Sequence, residues 1–216
     1  MWKSTMSEFT VNLLDTIKKK ETQGNYNIFA GDKATADRKL TNMTLKQVIQ
    51  AQGNKAAGAY QFKPETLRTL MKDLGLKGNE KFTPAFQDVL ATRLLERRGL
   101  NDYLAGNLPA DVFALNAAKE WASLPVLTPT KGRMGQVEPG MSYYQGYGSN
   151  KALMNADEFN QYKQMLGFQQ QVTQDEPKGL LAQAASRITA PITQATDYLA
   201  DVFWNPRKMF GDTTRD

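Results

Sequence analysis

The sequence predicts an α+β fold that is mainly α, with a small β portion and a helical extension at its C-terminal end. Apolar residues recur at steps of three and four in segment after segment, the period of an amphipathic helix. Helix start signals precede those segments at Ser7 and Thr83-Pro84, and glycines close them at Gly24, Gly53, Gly75 and Gly99. Residues 27–42 lack the helical period and are rich in Gly, Asp, Thr and Lys, so the β portion is expected there.

The first helix spans most of residues 7–26, SEFTVNLLDTIKKKETQGNY. Phe9, Leu13 and Ile17 form its buried stripe, with Val11 and Leu14 alongside, and Glu21 is the next step on the stripe. A carboxyl group there is partly desolvated, which raises its pKa and suits it to act as a general acid. The alternative is an ordinary surface glutamate, solvated or paired with Lys18 or Lys20.

The remaining elements follow in order. Residues 43–52 read as a short helix with Leu45, Val48 and Ile49 inward. In GNKAAGAYQFKPETL the small residues Ala56 to Ala59 admit close backbone approach, and Pro64 opens the next helix, which buries Leu67, Leu70, Met71 and Leu74. Thr83 as N-cap and Pro84 at the first position begin a helix with Phe86, Val89, Leu90, Leu94 and Leu95 inward. Residues 111–121 form another, with Val112, Leu115 and Ala118 or Lys119 at helical spacing, and Trp121 is read as core or cleft wall. Residues 126–150 are long and irregular and contain SYYQGYG, and a loop of that length inside a compact domain is usually functional. Residues 152–166 read as the last helix of the domain, so the domain is expected to span 1–167.

The polar stretch FQQQVTQDEPK marks a linker at residues 168–178. Beyond it, in the arm at 179–216, Leu181, Ala185, Ile188, Ile192, Ala195, Leu199 and Val202 form a narrow helical seam interrupted by Pro191. The seam at 179–204 reads equally as a hairpin folded back on the domain or as a docking arm for another protein. A membrane-surface helix ranks below both, because its polar face lacks clustered Lys and Arg.

Composition narrows the chemistry. The chain has no Cys and no His, which excludes disulfides, thiolate metal sites, thiol nucleophiles and the usual base for a serine nucleophile. Carboxylates, Lys and Tyr remain for acid–base work, and neither metal nor cofactor is called for. A net charge of +5 suits an anionic partner such as a cell wall; the basic residues are interspersed with acids, so no nucleic-acid partner is expected. No apolar run is long enough for a transmembrane segment, and the opening MWKSTMSEF lacks the apolar core of a secretory signal.

Four segments in this order resemble the phage lambda lysozyme family, whose members are lytic transglycosylases: Glu21-Thr22, Ala57-Gly58-Ala59-Tyr60-Gln61-Phe62, FTPAFQDVLATRLLERRGL at 82–100, and Trp121-Ala122-Ser123-Leu124-Pro125. SYYQGYGSNKA at 142–152 is similar to the ending of related phage muramidases. The resemblance implies a lysozyme-like fold with a small β lobe as one wall of a sugar groove. It puts Glu21 on the family's catalytic acid and Gly58, Tyr60 and Gln61 along the cleft. Two departures stand out: Ala59 replaces a bulkier or basic residue, and the loop after Pro125 is longer than the family's. Tyr143, Tyr144 and Tyr147, with Gln145 between them, either stack on sugar rings in compensation or anchor the loop.

The activity so implied is cleavage of the bond between N-acetylmuramic acid and N-acetylglucosamine in peptidoglycan, leaving a 1,6-anhydro end and needing one carboxylate. Hydrolytic muramidase is the alternative, and it needs a second carboxylate, for which Asp32 and Asp37 are nearest in sequence. A different class of reading is a virion structural protein on a lysozyme-like scaffold. The expected location is a phage particle or the host cytoplasm before release, with action at the periplasm and cell wall.

Overall fold

The structure is a computed structural model that describes residues 7–33, 39–148 and 152–168. Asp37, the linker from residue 169 onward and the seam at 179–204 lie outside the described residues. Among the described residues the fold is α+β and mainly α, with seven helices and one two-stranded sheet.

Helix α1 (Glu8–Thr22) starts where Ser7 accepts the Thr10 N–H on its side chain, and buries Leu13, Leu14 and Ile17. Val11, expected on the stripe's flank, is 39% exposed. After a short 3-10 turn at Leu40–Asn42 comes α2 (Leu45–Gln52), opened by a reciprocal capping box between Thr44 and Gln47. Helix α3 (Pro64–Asp73) packs on α2. Helix α4 (Pro84–Arg97) starts as expected, with Thr83 Oγ1 accepting the Phe86 N–H; it packs on α1 and buries Leu90, Leu94 and Leu95. Its Val89, expected inward, is exposed.

Helix α5 (Leu100–Leu104), a single short turn beyond Gly99, is too brief to show a period in sequence. Helix α6 (Ala110–Glu120) buries Ala118 as expected, but the buried face is rotated to Phe113, Ala114 and Ala117, with Val112 and Leu115 on its flanks. Small side chains let the helix approach closely, and the ring of Phe113 stacks on Tyr103 at 4.6 Å with Phe9 tilted against both. Helix α7 (Ala156–Met165) begins after Asn155, which forms a capping box with Glu158, and contributes Tyr162 to the core.

The sheet is not where it was expected. Strands β1 (Thr130–Lys131) and β2 (Gln136–Val137) pair antiparallel inside the long loop after Pro125. Each is two residues long, too short for alternation to be legible. Among the described residues, 27–42 contribute one bridge, Phe29 to Ala57, and Ala57 pairs in turn with Phe62.

That pairing makes a tight turn of residues 57–62, and α4 holds it in place. Gln87 is fully buried; its Oε1 accepts the Ala59 N–H at 2.9 Å, and its Nε2 donates to the carbonyls of Tyr26 (3.2 Å) and Phe82 (3.0 Å). Replacing it with an apolar side chain strands a buried N–H and two carbonyls, each costing about 1–3 kcal/mol if water cannot reach it. Gln87→Leu is therefore expected to lower the unfolding free energy by about 2–4 kcal/mol, read as a drop in the urea midpoint at unchanged slope.

Candidate active site

Glu21 sits in the last turn of α1, which ends because Gln23 adopts a left-handed conformation (φ 56°) and the N–H groups of Gln23 and Gly24 return to Lys19 O and Lys18 O. This termination turns the chain away just past Glu21 and leaves the carboxyl group partly buried at a cleft of about 410 Å³. Lys20, Thr22, Asn25, Ile28 and Asp32 line the cleft with it. Burial pushes the Glu21 carboxyl above the usual carboxylate range, while the Ser123 O–H, donating to Oε1 at 2.5 Å, and the Ser123 backbone N–H pull it partway back. The result is a group that retains its proton closer to neutrality than a surface glutamate and still has donors ready for its anion.

Lys18 and Lys20, the cations that might have claimed Glu21, are engaged elsewhere. Lys18 pairs with Asp15 at 2.6 Å and Lys20 with Glu158 at 2.6 Å.

The turn at 57–62 stands behind Glu21. Thr22 Oγ1 donates to Ala59 O at 3.1 Å while also reaching Lys18 O, linking the end of α1 to the turn. The resemblance implies Tyr60 along the cleft; in the structure it is 1% exposed, with its hydroxyl donating to Asp88 at 2.6 Å. Tyr26 donates to the same carboxylate oxygen at 2.9 Å, and Trp121 Nε1 donates to Tyr60 O at 3.1 Å. Gln61 is half-buried in a left-handed conformation (φ 51°), and its Nε2 donates to Gly58 O. Gly58 has φ 74°, and a Cβ there would collide with Gln87 Oε1 and meet Phe82 at 2.9 Å. None of Gly58, Tyr60 and Gln61 lines the cleft beside Glu21.

In the long loop, Tyr144 donates its hydroxyl to Lys119 O at 2.6 Å and its N–H to Ser142 Oγ, so its polar atoms serve to anchor the loop. Tyr143 packs edge-on against Tyr144 with Lys119 Nζ above its ring. Gln145 and Tyr147 are exposed, and the Arg133 guanidinium lies 4.6 Å from the Tyr147 ring centroid. Asp32 enters the same cleft as Glu21, but its carboxylate is 4% exposed, accepts the Phe29 N–H and faces Lys55 at 3.6 Å.

Ser123 was quoted in sequence only as part of a motif, and nothing about a serine beside a proline-terminated segment signals a partner 102 residues away. Asp88 and Gln87 are likewise adjacent polar residues on an otherwise amphipathic helix, and only the fold reveals what they bind.

A model of the endolysin family matches residues 5–151. The chain belongs to the endolysin family. No curated protein matches it by sequence. As an endolysin it is a phage enzyme that degrades peptidoglycan, and the match includes Glu21, Ser123 and the whole cleft lining. Among the described residues no helix of the endolysin is long and apolar enough to cross a membrane.

Two expectations follow for this endolysin. Because the folded state binds the Glu21 proton more tightly than the unfolded chain, the associated stability is full below the ordinary glutamate range and is lost as pH rises through the raised value. Glu21→Gln is therefore expected to raise the melting temperature at pH 7, with the gain shrinking as the pH is lowered, in calorimetry across that range. Gly58→Ala meets both a left-handed backbone and an occupied space, so it is expected to cost about 2–4 kcal/mol in denaturant titration.

Proposed function

We propose that the endolysin is a lytic transglycosylase in which Glu21 works as both acid and base. Protonated, it donates to the oxygen between N-acetylmuramic acid and N-acetylglucosamine. As carboxylate, it then takes the proton from the muramic C6 hydroxyl, which attacks the anomeric carbon and closes a 1,6-anhydro ring. The observation that carries this reading is the partly buried, serine-bonded carboxyl at the cleft, beside a second carboxylate already committed to Lys55 and a backbone N–H. The resemblance in Glu21-Thr22 and the later segments supports it as well.

Hydrolytic muramidase is the second reading, and one observation favours it: Asp32 lines the same cleft, where a base could activate water. Digestion of purified sacculi in heavy-oxygen water separates the two by mass spectrometry. Anhydro-muramic ends without incorporated label are expected; labelled reducing ends would establish the hydrolase. Glu21→Gln is expected to lower wall clearing by at least about 100-fold, and retained clearing would remove Glu21 from the mechanism.

The arm at 179–204 is proposed to dock the enzyme on a phage particle protein, with Tyr147 and Gln145 meeting the glycan on the loop side and Tyr60, Gln61 and Gly58 shaping the groove from behind. Truncation after Gly167 is expected to leave wall clearing within about twofold while removing the protein from purified particles, as judged by proteomics.

A further inference from the structure

The two oxygens of Glu21 do not have equal surroundings. Ser123 Oγ donates to Oε1 at 2.5 Å, and Ser123 is 3% exposed, so water does not compete for that bond. The serine cannot follow the carboxyl group if the carboxyl moves. Leu153 N–H donates to Ser123 O at 3.1 Å, Ser142 Oγ donates to Ala122 O at 2.7 Å, and Leu124 N–H donates to Trp121 O at 3.1 Å. Trp121 is itself tied to Tyr60 O through its indole N–H. Glu21 is the mobile partner: a side chain with three rotatable bonds in the last turn of a helix, clamped at one oxygen by a fixed donor.

We infer that Ser123 is a positioning residue that fixes Oε1 as the spectator oxygen and leaves Oε2 as the one that delivers and recovers the catalytic proton. In the acid form the proton sits on Oε2, and Oε1, then the carbonyl oxygen, still accepts from the serine hydroxyl. Breaking the glycosidic bond transfers that proton from Oε2 to the departing sugar oxygen and leaves a carboxylate. The attacking hydroxyl, from muramic C6 or from water, then returns a proton to Oε2, so Glu21 ends as it began. Ser123 neither gains nor loses a proton, and its bond spans the whole cycle. The inference rests on Glu21 being the acid and is indifferent to which hydroxyl attacks.

The test compares Ser123→Ala, Ser123→Thr and Glu21→Gln with wild type in pH profiles of sacculus clearing, with melting temperatures and sacculus pull-down measured alongside. As the acid, Glu21 sets the limb on which activity falls with rising pH. The serine donor favours the carboxylate, so its removal is expected to move that limb to higher pH, and to lower the maximal rate about 10–100-fold through misplacement of the carboxyl. Ser123→Thr, which keeps the hydroxyl, is expected to return the limb to its wild-type position, and pull-down is expected to be unchanged in all variants. A limb that stays put in Ser123→Ala, or a rate loss accounted for by lowered melting temperature alone, overturns the inference. The two readings fail separately: an active Glu21→Gln removes the acid itself, whereas an inactive Glu21→Gln beside an unshifted Ser123→Ala removes only the role of the serine.

Discussion

The Glu21 carboxyl group is partly kept from water, and a helix end is a poor place for that unless other chain covers it. Here the constraint is met by apposition. The last turn of α1 is pressed between the turn at 57–62, through Thr22 and Ala59 O, and the segment at 121–125, through Ser123. Burial raises the cost of the anion, and the serine donors limit that cost, so the group rests between the extremes of a solvated glutamate and a permanently neutral one. Neither support is local in sequence to Glu21, and α4, which packs on α1, holds the first of them through Gln87.

Helix α4 accordingly has two roles on two faces. Leu90, Leu94 and Leu95 bury apolar area in the core, at roughly 1.5–3 kcal/mol per side chain. One turn earlier, Gln87 and Asp88 direct their polar atoms to Tyr26 and the turn behind Glu21: Ala59 N–H, Tyr26 O, and the hydroxyls of Tyr60 and Tyr26. A fully buried Gln is stabilising only when its atoms are paired, and here each donor or acceptor meets a backbone group that a sheet would otherwise have satisfied. This explains why a turn with no more than bridge-like pairing can be a rigid wall. The crowding of Gly58 by Gln87 Oε1 and Phe82 belongs to the same arrangement, since the backbone must approach closely for the amide to reach Ala59.

What could be read from sequence divides along the same line. The starts of α1 and α4 were legible because Ser7 and Thr83 act on N–H groups three residues away, and such signals survive without tertiary context. Helical periodicity carries the buried stripe of α1 to Glu21 but leaves a surface glutamate open there, and the resemblance in Glu21-Thr22 singles it out. Of the face expected inward on α6 only Ala118 is fully buried; Phe113, Ala114 and Ala117 escape notice because small alanines bury little area and give a weak periodic signal, while Val112 and Leu115 give a strong one. Tyr60 was placed along the groove by resemblance, but its 1% exposure depends on Asp88, far along the chain. The partnership of Ser123 with Glu21 was illegible for the same reason: it is a contact between chain segments, with no local pattern to announce it.

The family match ends at residue 151, yet the chain beyond it is tied to the end of α1 that carries Glu21. Lys20, the neighbour of Glu21, reaches Glu158 on α7 at 2.6 Å, and Glu158 also accepts the Asn155 N–H in its capping box. Tyr103 donates to Leu166 O at 3.1 Å, and Tyr162 and Leu166 complete the core against which Phe9 and Tyr103 lie. Leu153 supplies the N–H that fixes the carbonyl of Ser123 itself. Removing α7 would thus release Lys20 beside Glu21, open the core beneath α1 and loosen the serine that grips Oε1. On physical grounds α7 belongs to the same folded unit as Glu21, although the family match stops short of it.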